Sequence, residues 1–160
     1  MDNSNKLKTY KSIIINALND NLKPKQFKRK GNTFSRNNTD LVYYIKLQSS
    51  QSSTSDVLKA TINIEISSLI LLPVAYDPIH FRKRIGAYLQ TPYDKWWVMD
   101  NEKSAILAAD EISQLLFDKV IPELDMLKTT RDLANLWRQN KCPGLTEFQR
   151  KEYLAFFSNQ

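Results

Sequence analysis

The sequence predicts an α+β fold: an antiparallel sheet of about five strands, with N-terminal and C-terminal helices packed on one face. Three observations carry this expectation. Residues 27–66 alternate apolar and polar side chains in runs separated by turn residues, the period of half-buried strands. Both ends of the chain place apolar residues at helical spacing. The strands come in one run and most helices in another, the order of an α+β domain rather than of repeated βαβ units.

The N-terminal helix is expected over Ser4 to Leu22, with Leu7, Tyr10, Ile14, Ala17 and Leu18 on one stripe and Ile13 widening it. Asn3 or Ser4 can cap its start, and Pro24 stops it. Gly31-Asn32 is a two-residue hairpin signal, since a glycine in first position supplies the positive φ of a type II′ turn. Pairing Lys30 with Thr33 then sets Arg29 opposite Phe34 and Phe27 opposite Arg36. Arg29 and Arg36 thereby share the apolar face with Phe27, Phe34 and Tyr43, while Lys28 and Lys30 take the other. Asn37-Asn38-Thr39-Asp40 reads as a four-residue loop that pairs Arg36 with Leu41 and Phe34 with Tyr43. Leu41, Tyr43, Ile45 and Leu47 continue the inner face, and Val42, Tyr44, Lys46 and Gln48 the outer.

Ser49 to Asp56 is a polar, serine-rich hairpin loop. Leu58, Ala60, Ile62, Ile64 and Ile66 alternate with Lys59, Thr61, Asn63, Glu65 and Ser67, a strand with one buried face. The apolar run Leu69 to Tyr76 is broken by Pro73 and reads as an edge strand or a packed loop. Phe81 to Leu89 reads as a strand in which Gly86 marks a bulge or a close backbone approach. Asp94 to Met99 reads as the last strand, with one of Trp96 and Trp97 in the core because neighbours point to opposite faces. Asp100 or Asn101 caps a helix that Pro122 ends or kinks. Thr129 with Asp132 opens a short helix, Pro143-Gly144 breaks the chain, and Thr146 with Gln149 forms a capping box for the last helix.

A chain of 160 residues with 42% hydrophobic content is expected to form one domain over residues 1–160. The net charge of +6 is uneven: residues 1–50 hold ten Lys and Arg against three acids, and the rest of the chain is close to neutral. Such a region attracts nucleic acid, anionic lipid or an acidic protein, or is simply a solvated surface. The polar N-terminus offers no signal-peptide core, and the longest apolar run falls far short of the ~20 residues a membrane helix needs, so a cytoplasmic protein without membrane partners is expected.

Chemistry-bearing motifs are sparse. A single cysteine, Cys142, makes neither a disulfide nor a metal cage, and the lone His80 has no partner at ligand spacing. Three unclustered glycines exclude a phosphate-cradling loop or a dinucleotide fingerprint. No catalytic residue, metal site or cofactor is therefore assigned. The candidate ligand-binding or partner-binding residues are Arg29, Arg36, Arg82, Arg84, Trp96 and Trp97, because guanidinium forks suit carboxylates and phosphates and an exposed tryptophan anchors interfaces. Lys28, Lys30, Tyr44, Lys46 and Lys59 form a candidate nucleic-acid-binding stripe on the outer sheet face, with one aromatic for stacking.

Leu22-Lys-Pro24, Phe27-Lys28-Arg29-Lys30-Gly31-Asn32-Thr33-Phe34, Asp40-Leu41, Thr61-Ile62-Asn63-Ile64, Arg82-x-Arg84-Ile85-Gly86 and Asp94-x-Trp96-Trp97 together resemble a bacterial family, domain of unknown function 4304. The likeness spans roughly residues 5–125, leaving a C-terminal helical extension over about 126–160. This sequence departs from the family at Gln26, where glycine is common, and at Ser35, where tyrosine is frequent. The resemblance implies no activity and marks Arg29, Arg84 and Trp97 as positions for mutation. The leading expectation is a non-catalytic module that binds a protein partner, with an immunity-type or accessory role. Nucleic-acid binding is the alternative, and an enzyme with an unassigned site the third reading.

Overall fold

Helix α1 (Asn3–Leu22) opens the chain and buries Tyr10, Ile14, Ile15, Leu18 and Leu22 on one stripe. The structure, a computed structural model, describes the backbone of residues 3–142 and 144–158, and the side chains among these from residue 5 onward. The cap expected at Asn3 or Ser4 and the break expected at Pro143 fall on atoms outside the described ones. A short 3-10 turn, Lys23–Lys25, carries Pro24 and ends at Gln26, whose φ of 67° and ψ of 19° are left-handed.

The sheet is antiparallel, ordered β1 (Lys28–Lys30), β2 (Thr33–Asn38), β3 (Leu41–Ser49), β4 (Leu58–Ser68) and β5 (Phe81–Arg84), with β6 (Trp97–Met99) also paired to β4. Lys30 pairs with Thr33 and Arg29 with Phe34, as the Gly31-Asn32 turn dictates, and Gly31 has φ of 62°. The next turn is tighter than expected. Asn38 pairs with Leu41, so the loop is Thr39-Asp40 alone, and Arg36 faces Tyr43 while Phe34 faces Ile45. The register therefore differs by two residues. Side chains keep their faces, because a shift of two is one full pleat period. Asn38 stays in the strand, its amide donating to the Tyr43 hydroxyl and to the Lys128 carbonyl.

Leu41, Tyr43, Ile45 and Leu47 on β3 and Leu58, Ala60, Ile62, Ile64 and Ile66 on β4 form the inner face, all buried. Thr61 and Ser67 on the other face are buried as well. The Thr61 hydroxyl donates to the Lys95 carbonyl and the Ser67 hydroxyl to that of Pro78, so the chain between β5 and β6 and the approach to β5 cross this side.

Two strands are shorter than expected. β5 stops at Arg84 and Ile85–Tyr88 turns as a 3-10 helix, because Gly86 lies against the backbone of Tyr93. A Cβ at Gly86 would sit 1.9 Å from the Tyr93 carbonyl oxygen, and the Gly86 carbonyl accepts from the Leu89 and Tyr93 amides. The close approach is real; the strand is not continued through it. β6 begins only at Trp97, which is the buried tryptophan.

Helix α2 (Glu102–Leu115) starts at a capping box between Asn101 and Ser104. Pro122 does not end the helical run. Residues Leu116–Val120 form a π turn, in which the Ile121 amide reaches the Leu116 carbonyl, and α3 (Ile121–Met126) follows with Pro122 in its first turn. The wider turn accommodates a proline that lacks an N–H and whose ring crowds the carbonyl four residues back. α4 (Thr130–Arg138) and α5 (Glu147–Ser158) open at the expected Thr129/Asp132 and Thr146/Gln149 caps. Leu133, Ala134, Trp137 and Tyr153 belong to the same buried cluster as α1, the inner sheet face and α2.

Candidate functional site

The arginines expected to bind a ligand are mostly engaged inside the molecule. Arg36 lies between Phe27 and Tyr43, 4.9 Å from each ring centroid, and its Nη2 donates to Asp125 at 2.8 Å. Arg82 forks onto Asp77 with Nη1 and Nη2 at 2.8 and 2.9 Å. Arg84 donates twice through Nη1 to Asp94, lies over the Trp96 ring at 5.1 Å and reaches Asn63. Trp96 in turn donates to Asp94, and buried Trp97 donates to Glu111 at 2.7 Å. These bonds hold the carboxyls of Asp77, Asp94 and Glu111 below the usual carboxylate range: the Arg82 fork acts first at Asp77, the Arg84 fork at Asp94 and the Trp97 indole at Glu111.

Arg29 is different. It was expected to share the apolar face with Arg36, yet its side chain is exposed, with Nε donating only to the Gly31 carbonyl. The parity of the register is as expected, but β1 is the sheet's edge and all three of its residues are exposed. Arg29 and Arg36 line different grooves, so the two-arginine cleft does not form.

The expected nucleic-acid stripe is also divided. Lys46 pairs with Glu65 and lies 5.0 Å from the Tyr44 ring, which neutralises the centre of the outer face. Lys28 and Lys30 are exposed at the β1 edge, and Lys59 lies on β4, with no ion pair for any of the three among the described residues.

His80 and Cys142 are enclosed. The His80 Nδ1 accepts from the Ser68 amide at 2.8 Å, its ring meets Tyr153 edge-on at 5.0 Å, and burial lowers its pKa to about 4. The Trp137 indole and the Cys142 thiol both point at the His80 carbonyl, and burial pushes the thiol up to about 12. No group of three or more His, Cys, Asp or Glu that could hold a metal ion occurs among the described residues.

One run of exposed apolar side chains is a feature that sequence patterning left open. Leu69 to Tyr76 is neither an edge strand nor a fully packed loop, but a series of tight turns. Leu71 is buried beneath it, while Leu69 is 44% exposed, Leu72 38%, Val74 45% and Tyr76 100%. Both ends are tied down. The Leu69 amide bonds the Asp40 carbonyl, and Asp77 accepts from the Ile79 amide as well as from Arg82. An apolar run interrupted by proline was the only signal, and alternation could not say which of its residues face outward.

The chain matches the family described as Domain of unknown function (DUF4304) over residues 18–126. It belongs to that family. The match takes in α1 from Leu18 through α3, including the hairpin, Gly86, Trp96 and Trp97, and leaves α4 and α5 outside it. No curated protein and no solved structure matches the chain. Among the described residues, no helix is long and apolar enough to cross a membrane.

Proposed function

We propose that this DUF4304 member is a non-catalytic interaction module that binds a protein partner, with the loop Leu69–Tyr76 as its anchor. The carrying observation is that loop: four large apolar side chains within eight residues are exposed on a run of turns whose base is pinned by Leu71 and by Asp77. Single exposed hydrophobics are ordinary, whereas a contiguous apolar group at an ordered projection is what interface anchors look like. The fully exposed Tyr76 fits particularly well, since tyrosine is enriched at hot spots and brings a hydroxyl that tolerates solvent before binding.

The surroundings support the same reading. His80 and Cys142, the side chains that acid–base or nucleophilic chemistry would use, are enclosed and held in their uncharged forms. Arg36, Arg82 and Arg84 are neutralised by neighbours, so they serve to shape the surface rather than to capture an anion. A partner would present an apolar groove to Leu72, Val74 and Tyr76. An immunity-type or accessory role needs no more than such a docking surface.

A photo-crosslinking residue placed at Tyr76 in the full-length chain, expressed in its native cell, tests this. A discrete protein adduct is expected, weakened at least tenfold by Leu72→Asp, the scale of a hot-spot loss, and unchanged by Lys103→Gln on α2. An adduct pattern indifferent to Leu72→Asp overturns the proposal.

A further inference from the structure

Three grooves among the described residues contain a carboxylate: Glu65, Asp125 and Glu147 respectively. The two formed where α1 and the turn after it meet the β1–β2 hairpin contain none. One, about 340 Å³, is lined by Lys8, Lys11, Ser12, Asn16, Arg29 and Asn32 over Ile15. The other, about 450 Å³, is lined by Asn19, Lys23, Gln26, Lys28 and Arg29 over Phe27. Arg29 belongs to both, so the two grooves adjoin at its side chain and together make a basic surface.

We propose that this surface binds the phosphate backbone of a nucleic acid without regard to sequence. None of its five cations forms an ion pair among the described residues, in contrast to Arg36, Lys46, Arg82 and Arg84. Their charge is thus available to a ligand. The neutral residues between them are hydroxyls and amides, the other side chains that contact phosphate oxygens. Asp20, also on α1, lines neither groove.

Helix geometry gives the surface a length. Lys8, Ser12, Asn16 and Asn19 follow one stripe at steps of four, four and three residues, with Lys11 one turn from Lys8 beside it, and the 11 residue steps from Lys8 to Asn19 at 1.5 Å each extend it about 17 Å. That matches about five phosphates of one strand at 3.4 Å along a duplex axis. A single small anion would need only one of the two grooves. A second protein is disfavoured at this place because an interface core wants an apolar anchor, and Ile15 and Phe27, its apolar members, are buried. Nucleic-acid interfaces are instead polar and strongly positive. The site lies across the sheet edge from the stripe that alternation had suggested, and keeps only Lys28 of it.

Fluorescence anisotropy of the full chain with a labelled DNA duplex and a labelled single-stranded RNA, both of mixed sequence, tests the proposal. At least one should bind. Its affinity should fall between about 50 and 200 mM salt by about 500-fold for the duplex or about 100-fold for the single strand, from log–log slopes of about −4.5 and −3.5 for five contacts. Arg29→Gln and Lys11→Gln should each reduce the slope by about 1, and Lys103→Gln should leave it unchanged. Circular dichroism of each variant checks that the fold is retained. Failure of both probes to bind at low salt overturns the proposal, as does a slope unaffected by Arg29→Gln. Equally tight binding to polyglutamate, or to vesicles rich in phosphatidylserine, would assign the surface to an acidic protein or a lipid headgroup and overturn it too.

Discussion

Gln26 and Gly86 show the same side-chain rule from opposite sides. Gln26 holds a left-handed conformation at the end of the turn that joins α1 to the sheet, with its amide bonded to the Lys23 carbonyl. A Cβ costs roughly 1–2 kcal/mol there, while glycine costs about 0.5–1 kcal/mol in unfolded-state entropy. Gln26→Gly is therefore expected to stabilise the protein by about 0.5–1 kcal/mol, read as a higher urea midpoint at unchanged slope. Gly86 has no such φ; what it lacks is room, since the atoms facing it are the backbone of Tyr93 and Lys95. Backbone cannot rotate away as a side chain can. Gly86→Ala is expected to cost about 3 kcal/mol and to shift the 3-10 turn that ends β5. Equal effects of the two substitutions, in sign or in size, would contradict this reading.

At the scale of elements, the loop Leu69–Tyr76 depends on the pins at its base. Asp77 accepts from both Arg82 nitrogens, from the Ile79 amide and from Gln149 on α5. Asp77→Asn keeps the shape but removes the charge, and is expected to cost about 1–2 kcal/mol and to loosen the apolar loop. Accelerated amide exchange at residues 69–76, with the β3–β4 ladder unaffected, is the expected signature. Much of the architecture around this loop was legible in the sequence. The faces of β3 and β4 follow from strict alternation, and the α2, α4 and α5 starts follow from side-chain caps that act within four residues. What was not legible depends on distant partners. The carboxylate that occupies Arg36 is Asp125, 89 residues on, and the backbone that stops β5 at Gly86 belongs to Tyr93, in a segment with no regular pattern. The β2–β3 register departs from the local signal because Asn37 and Asn38 are strong turn formers, and Tyr43 and the Lys128 carbonyl hold the Asn38 amide in the strand. Alternation sets the side of the pleat for Arg29, but carries no information on how far the helices extend over the sheet's edge.

For the whole molecule, the part of the chain beyond the family match packs against the matched part around one enclosed residue, His80. His80 immediately precedes β5; Tyr153 from α5 packs on its ring, and Trp137 from α4 and Cys142 bond its carbonyl. Further along the seam, the Thr130 hydroxyl meets that of Ser68 and its amide donates to Asp40. The charged groups that act on the ring are Asp77, which favours the protonated form, and Arg82, which opposes it; burial outweighs both and leaves His80 neutral, with a pKa lowered to about 4. The unfolded chain takes up that proton near pH 6.5. Stability from the neutral imidazole is thus complete above about pH 6.5 and is lost as pH falls toward 4, by about 3 kcal/mol in all. Asp77, Asp94 and Glu111, whose pKa values are lowered, add to the loss only further down, as pH drops below the normal carboxylate range. The two contributions are separable by variant. His80→Asn offers an amide oxygen to the Ser68 amide without a titrating ring, so it should be less stable than the parent at pH 7 yet lose far less between pH 6.5 and 4.5. Urea unfolding followed by tryptophan fluorescence measures this directly, since Trp137 lies against the same seam. If parent and variant lost stability in parallel across that interval, the surface carboxylates rather than His80 would set the acid response of the fold.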